Sequence, residues 1–332
     1  MREIAVPRYV RTLVQHLKDS GVLDVRMDAN ETAFLEREVT YQRAQVREVQ
    51  YAELMAEAFI PMATDIPADV DDFVYKVLDF VGEAKVIANA ADDLPAVDVS
   101  ATEVSCKVYT VGDSYQWTKS ELAKAARLRV ALPDLKVRAA ARAINQQIDK
   151  ILASGKTDSQ SNLITTGLLN NANVEGGALA NVISGTFWQQ STSADTILDE
   201  MNAWVNEIIE ESNQLWVPNF MIFAPREYNI ISSKKVGTDN DKTILKSFLE
   251  NNPHIQAIAS WWRCTGAGDS STNRAVVYKL DSEVLEGVVN QQFEQEPPQL
   301  RNLATVTNCT AKSGGVQVYH PRAMRYVDQA QS

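Results

Sequence analysis

The sequence predicts an α+β fold in which strands and helices occupy separate stretches and a compact α/β unit is inserted between them. Three observations carry this expectation. Residues 70–87 and 96–117 read as two long strands, the first aromatic and β-branched over Phe73-Val74-Tyr75-Lys76-Val77-Leu78-Asp79-Phe80. Residues 118–155 read as a long basic helix opened by the capping box Thr118-Lys119-Ser120-Glu121. Residues 194–283 alternate helical and strand periods over short spans, as packed α/β layers do.

The elements follow in chain order. Residues 1–48 carry little apolar periodicity beyond the stripe Tyr9, Val10, Leu13, Val14 and Leu17 in a short helix over 7–22. They read as an extended arm that packs on something else. Pro61 and Pro67 turn or extend the chain before the strands. The strand pair turns at Asn89-Ala90-Ala91-Asp92-Asp93-Leu94-Pro95, which is full of turn formers. On the return arm Val104, Cys106 and Val108 face one way, and the phase shifts near Tyr109, where a bulge or twist is expected.

Pro133 suits a first helical turn, so the basic helix breaks at 131–133. Beyond the break Val137, Ala140, Ala141, Ile144, Ile148, Ile151 and Leu152 form one apolar stripe, and Gly155 stops the helix. A loop region rich in Asn, Gly, Ser and Thr covers 156–193. Ser193 then caps a helix whose core face is Ile197, Leu198, Met201, Trp204, Val205, Ile208 and Ile209. A buried strand over 220–223, a helix opened by Pro225, a helix over 242–249 and strands over 255–262 and 274–280 complete the α/β unit. Strands return over 283–289, 302–310 and 315–319.

Two long strands cannot bury enough apolar surface to stand alone in water, and their open edges invite pairing. Something has to cover residues 70–117. Charge suggests what. The 332 residues carry a net charge of -11, but residues 51–98 hold eleven acids against Lys76 and Lys85, while 119–156 hold nine bases against three acids. One reading is a pair of solvated faces. The sharper reading is complementarity, the acidic hairpin of one copy lying over the basic helix of the next.

The net acidity argues against a nucleic-acid reader, though not against a container for DNA. Cys106, Cys264 and Cys309 are odd in number and far apart, which fits buried free thiols in a reducing compartment. No apolar run approaches a membrane span, and the first seven residues lack the features of a signal peptide.

Catalytic patterns are missing. His16, His254 and His320 have no metal-ligand spacing, and Gly266-Ala267-Gly268 lacks the third glycine and the strand-to-helix setting of a dinucleotide site. Asp92-Asp93 is better read as a solvated tip than as paired catalytic carboxylates. Trp117 and Trp261-Trp262 are better read as core or interface anchors than as a stacking platform. No catalytic, cofactor or metal residue is expected, and no cofactor.

The layout resembles the major capsid proteins of tailed bacteriophages with the Hong Kong 97-type fold. The resemblance rests on residues 91–100, Ala-Asp-Asp-Leu-Pro-Ala-Val-Asp-Val-Ser, and on Leu245-Lys246-Ser247-Phe248-Leu249-Glu250-Asn251-Asn252-Pro253. It rests also on Phe293-Glu294-Gln295-Glu296-Pro297-Pro298-Gln299 and on Thr310-Ala311-Lys312-Ser313-Gly314-Gly315-Val316. The likeness covers about residues 30–328, and the order and spacing of these motifs carry it.

The resemblance implies an N-terminal arm (1–48), a first part of a peripheral domain (49–70) and an extended β-hairpin loop (71–117). It further implies the long spine helix of the peripheral domain (118–158), an α/β axial domain (159–283) and return strands of the peripheral domain (284–332). The implied role is that of a structural subunit, not an enzyme, which self-assembles as pentamers and hexamers into an icosahedral head around double-stranded DNA. DNA would be held without sequence-specific binding, and no membrane is involved. A scaffold, portal or decoration protein is a further possible partner. The place is the virion, after assembly in the cytoplasm of a bacterial host. The inter-subunit residues would be Asp71, Asp72, Asp79, Glu83, Asp92, Asp93 and Asp98 on the loop, and Lys136, Arg138, Arg142 and Lys150 on the spine. Lysine–asparagine crosslinking through Lys76 or Lys85 is not expected, since no matching motif is present. The alternatives are an encapsulin-type nanocompartment shell and a small-molecule enzyme using the α/β unit.

Overall fold

β1 (Asp72–Val81) and β2 (Asp98–Lys107) pair antiparallel, from Asp72 opposite Lys107 to Val81 opposite Asp98. The computed structural model describes residues 51–82, 96–128, 131–157, 163–175, 182–185, 188–237 and 241–329. The arm over 1–48 and the hairpin turn over 83–95 lie outside the described residues. All the elements that follow belong to one unit, Glu53–Ser332.

The expected return strand over 96–117 is two strands, not one. It breaks at Val108, whose side chain is buried and whose N–H bonds the Asp71 carbonyl at 2.8 Å. β3 (Tyr109–Thr118) then leaves the hairpin. It pairs instead with β13 (Ala304–Ser313), Tyr109 opposite Ser313 and Thr118 opposite Ala304. The phase shift near Tyr109 therefore marks a change of partner, because side chains must reach a different core from that point on.

The opposite edge of β13 carries β11 (Gln291–Gln295) and β12 (Gln299–Arg301), both antiparallel to it. Sequence periodicity missed both, since neither strand buries a side chain and their residues are mostly Gln, Glu and Arg. β10 (Leu285–Val288) and β14 (Gly315–Val318) form a small separate ladder.

The helical segment starts and stops as expected. In α1 (Lys119–Arg127) the Thr118 hydroxyl accepts from the Glu121 N–H at 3.2 Å while the Glu121 carboxylate accepts from the Thr118 N–H at 3.2 Å. The backbone bond from Thr118, and then the Lys136 charge, hold the Glu121 carboxyl below its ordinary range. Thr118→Ala is expected to cost about 1 kcal/mol, the usual worth of an N-cap. Urea unfolding would read this as a lower midpoint with unchanged slope, and an unchanged midpoint would contradict it.

After a break, α2 (Leu132–Ser154) carries Pro133 in its first turn and buries Ala140, Ile144, Ile148, Ile151 and Leu152. Gly155 ends it at φ 65°, where an added Cβ would lie 2.0 Å from the Thr165 carbonyl oxygen. No other residue fits there without moving backbone.

β4 (Lys156–Thr157), β5 (Leu163–Thr165), the single turn α3 (Ala172–Glu175) and β6 (Val182–Gly185) lead into the α/β unit. Its helices are α4 (Ala194–Glu211), α5 (Pro225–Ser233) and α6 (Ile244–Asn251). Ser193 caps α4 by accepting from the Thr196 N–H, and Thr243 caps α6 by accepting from the Lys246 N–H. β7 (Phe220–Phe223), β8 (Ala257–Ser260) and β9 (Asn273–Tyr278) supply three strands of one sheet.

The remaining central strand of that sheet is β15 (Met324–Gln329), which no sequence period had picked out. The order is β6-β15-β9-β7-β8, with β15 parallel to β6 and antiparallel to β9. The return stretch over 284–332 thus does not stay together: its last strand crosses into the α/β sheet. β15 reads Met-Arg-Tyr-Val-Asp-Gln and is buried throughout, so its charged residues hide it from a hydrophobic scan. Those charges are paired. Asp328 sits opposite Arg274 of β9, and the guanidinium donates to both carboxylate oxygens at 2.6 and 2.7 Å. Asp328 also accepts from the Asp269 N–H at 2.9 Å, and Arg274 donates to the Leu169 carbonyl at 2.6 Å.

One core joins α2, Phe59 and Ile60 to β9, β10, β14 and β15, and a second lies between α4–α6 and the five-stranded sheet.

Candidate assembly surface

The hairpin is anchored at its base and uncovered beyond it. At the base Tyr75 meets Tyr319 edge-on, ring centroids 4.8 Å apart, and Tyr319 donates to Glu286 at 3.0 Å. Burial first, and then the Glu286 charge, push the Tyr319 hydroxyl well above the usual tyrosine range. Cys106 is buried beside them, and that burial raises its thiol to about 11. Such a thiol is packing rather than a nucleophile. Asn290 ties the incoming strand by donating to the Pro67 and Val70 carbonyls, each at 3.1 Å.

Farther out none of the described residues covers either face. Directly opposite residues share a face, so Leu78, Phe80, Val99 and Ala101 lie together. Phe80 is 73% exposed, the most exposed aromatic side chain among the described residues, and Leu78 and Val99 are exposed with it. Lys76 and Glu103 pair across the strands at 3.0 Å, with both side chains mostly in solvent, so the bridge contributes little. Among the described residues the sheet has these two strands alone, which leaves both edges without a described partner over about 34 Å at the usual strand rise.

The acidic residues expected on this loop divide. Asp72, Asp79 and Asp98 are exposed on the hairpin. Asp71 is used within the chain, bonded to Lys312 at 2.9 Å. Glu83, Asp92 and Asp93 lie outside the described residues.

The basic residues divide too. Arg138, Arg142 and Lys150 are exposed on α2. Lys136 is half-buried and committed internally, donating to the Gln116 carbonyl and pairing with Glu121 at 3.5 Å. The charge count could not show this, because the partners come from β3 and α1. Arg138, Arg142, Asn145 and Asp149 fall at helical spacing on one stripe of α2. Asp149 closes the stripe inside the protein, accepting from the Ala56 N–H at 2.9 Å and pairing with Arg263 at 2.6 Å.

Beside this stripe is a cleft of about 370 Å³ lined by Leu54, Glu57, Asn145, Ile148, Val289 and Phe293, among others. Its lining comes from distant stretches of chain, so no motif announced it. The signal that was legible, in retrospect, is the run of apolar side chains at Leu78 and Phe80 on a strand with no core to bury them. No described helix is long and apolar enough to cross a membrane.

A hairpin that no described residue covers, in a chain that also exposes a basic helix, is the geometry of a subunit. The family model described as Major capsid protein matches residues 82–330. The chain belongs to the major capsid protein family.

Solved structures share its fold. The capsid of Myoviridae phage XM1 matches with a TM-score of 0.77 at 16% identity, over 93% of this chain and 100% of that one. The capsid of a native GTA particle matches with a TM-score of 0.62 at 10% identity, over 92% and 100%. Mycobacterium phage Bobi matches with a TM-score of 0.60 at 13% identity, over 93% and 100%. At these identities the likeness speaks to fold alone. No curated protein matches by sequence. This capsid chain is thus a structural subunit of a phage head, a component of the virion that associates with copies of itself. Neither the nanocompartment reading nor the small-molecule enzyme gains support from these matches.

Proposed function

We propose that this capsid protein builds an icosahedral head around double-stranded DNA by laying the β1–β2 hairpin of each copy over α2 of the next. The single observation that carries this reading is the hairpin itself: open edges and exposed apolar side chains on ten-residue strands that none of the described residues covers. A monomer would pay for that exposure with insolubility. A neighbouring copy removes it, and closure of a shell multiplies many modest contacts.

In this reading residues 71–117 contain the extended loop, 118–158 form the spine and 159–283 the bulk of the axial domain, with β15 completing its sheet. Residues 1–48 form an arm along a neighbour. Pentamers and hexamers are the assembly units, formed in the cytoplasm of a bacterial host. DNA is enclosed without base-specific contacts, as suits a chain of net charge -11. A scaffold, portal or decoration protein completes the particle.

Light scattering and electron microscopy of the purified chain test this. Pentamers, hexamers or closed shells are expected. A clean monomer across salt and pH, with the hairpin protected in hydrogen exchange, would overturn the reading.

A further inference from the structure

Resting on that reading, we propose that the hairpin meets α2 of the next copy through the face that carries Asp79 and Asp98, and turns Phe80 away from it. Strand alternation separates the two faces. Asp79 lies opposite Ser100 and Asp98 opposite Val81, so both carboxylates stand on the face of Tyr75 and Val77. Leu78, Phe80, Val99 and Ala101 stand on the other.

Three observations favour the acidic face. The first is continuity. At the root of the hairpin this same face packs on its own subunit, with Tyr75 against Tyr319 and Cys106 buried beside them. A hairpin that carries on beyond its own subunit lays the same face on the next one. The second is charge. Asp79 and Asp98 are exposed diagonal neighbours, about 7–8 Å apart. Arg138 and Arg142 are exposed on α2 and one turn apart, about 6 Å along the axis. The two pairs have opposite sign and similar spacing, as complementary surfaces do. Among the described residues the other face carries no charge outward of the Lys76–Glu103 pair.

The third observation is shape. Besides its two acids, the outer part of the acidic face holds only short side chains, Val77, Val81, Ser100 and Thr102. Beside the arginines of α2 run Ala139 and Ala143, both exposed, so a flat sheet face can come close to the helix. Phe80 would hold the strands off. Both surfaces belong to this chain, and a second copy is therefore the occupant. The face of Leu78 and Phe80 is left to other contacts of the shell.

The test is disulfide trapping in assembled shells. The three native cysteines are buried and do not compete. Ser100→Cys and Ala101→Cys are neighbours on opposite faces of β2, and each is combined in turn with Ala139→Cys and with Ala143→Cys. Oxidised shells bearing Ser100→Cys are expected to run as a ladder of covalent multimers on non-reducing gels, and those bearing Ala101→Cys as single chains. A ladder from Ala101→Cys as strong as that from Ser100→Cys, or stronger, overturns the choice of face and leaves the loop-over-helix reading standing. Shells of normal shape with no ladder from any combination overturn both.

Should the cysteine chains not assemble, Ala143→Trp decides. It is expected to lower shell yield about tenfold or more, because a close contact does not admit an indole, while the melting temperature of the subunit stays unchanged. An unchanged yield, or one that falls only because the subunit unfolds, overturns the proposal. Failure of the unmodified chain to form any oligomer counts against the assembly reading instead.

Discussion

Chains carrying Arg138→Glu and Arg142→Glu together are expected to yield shells about tenfold less efficiently than the unmodified chain, or worse, because one tenfold step needs only about 1.4 kcal/mol. Both side chains are exposed on α2, so the folded subunit should tolerate the change. Exposed substitutions of this kind usually move stability by less than about 0.5 kcal/mol. At the interface the effect is different. The reversal sets glutamates against Asp79 and Asp98 of the neighbouring hairpin, and juxtaposed like charges at an interface cost several kcal/mol. Salt should partly restore assembly, since the screening length shrinks from about 10 Å at 0.1 M to about 3 Å at 1 M. Shell yield by sedimentation, beside the melting temperature of the subunit, checks both halves. Normal shells from the doubly reversed chain would refute the complementarity of loop and spine.

The largest effect on the subunit itself is expected at Asp328. Its carboxylate and the Arg274 guanidinium are nearly enclosed, with side chains 10% and 4% exposed. Asp328→Ala takes from the buried Arg274 guanidinium the carboxylate it grips at 2.6 and 2.7 Å, and leaves the Asp269 N–H without its acceptor. Breaking one side of a buried pair costs roughly 3–5 kcal/mol. For a chain of this size that corresponds to a fall in melting temperature on the order of 10 °C. Replacing both partners by apolar residues, Arg274→Met with Asp328→Leu, should recover much of the loss, because the guanidinium leaves together with the carboxylate it grips. Calorimetry on the single and double variants decides it. A fall of less than about 1 kcal/mol for Asp328→Ala would contradict the account.

Local chemistry made much of this fold legible. The capping box at Thr118, the stop at Gly155 and the caps at Ser193 and Thr243 each satisfy groups within a few residues of themselves, so their signals survive in the sequence alone. Long-range choices left weaker marks. β3 alternates much as β2 does, and only the phase slip at Val108 hinted that its partner is β13, almost two hundred residues away. β15 was invisible because a strand buried on both faces carries Arg325 and Asp328, which look like surface residues until their partners are known. The candidate surface divides in the same way. Charge blocks pointed to the hairpin and α2. The commitment of Asp71 to Lys312 and of Lys136 to Glu121 appears only when β13, β3 and α1 are brought alongside.

The open hairpin has a second consequence, for the chain that has left the ribosome but not yet met its neighbours. Two strand edges that no described residue pairs and a patch of Leu78, Phe80, Val97 and Val99 make a template for amyloid-like stacking. Asp72, Asp79, Asp98 and Glu103 interrupt that template. They act as gatekeepers, holding stray copies apart by mutual repulsion until a surface of opposite sign arrives.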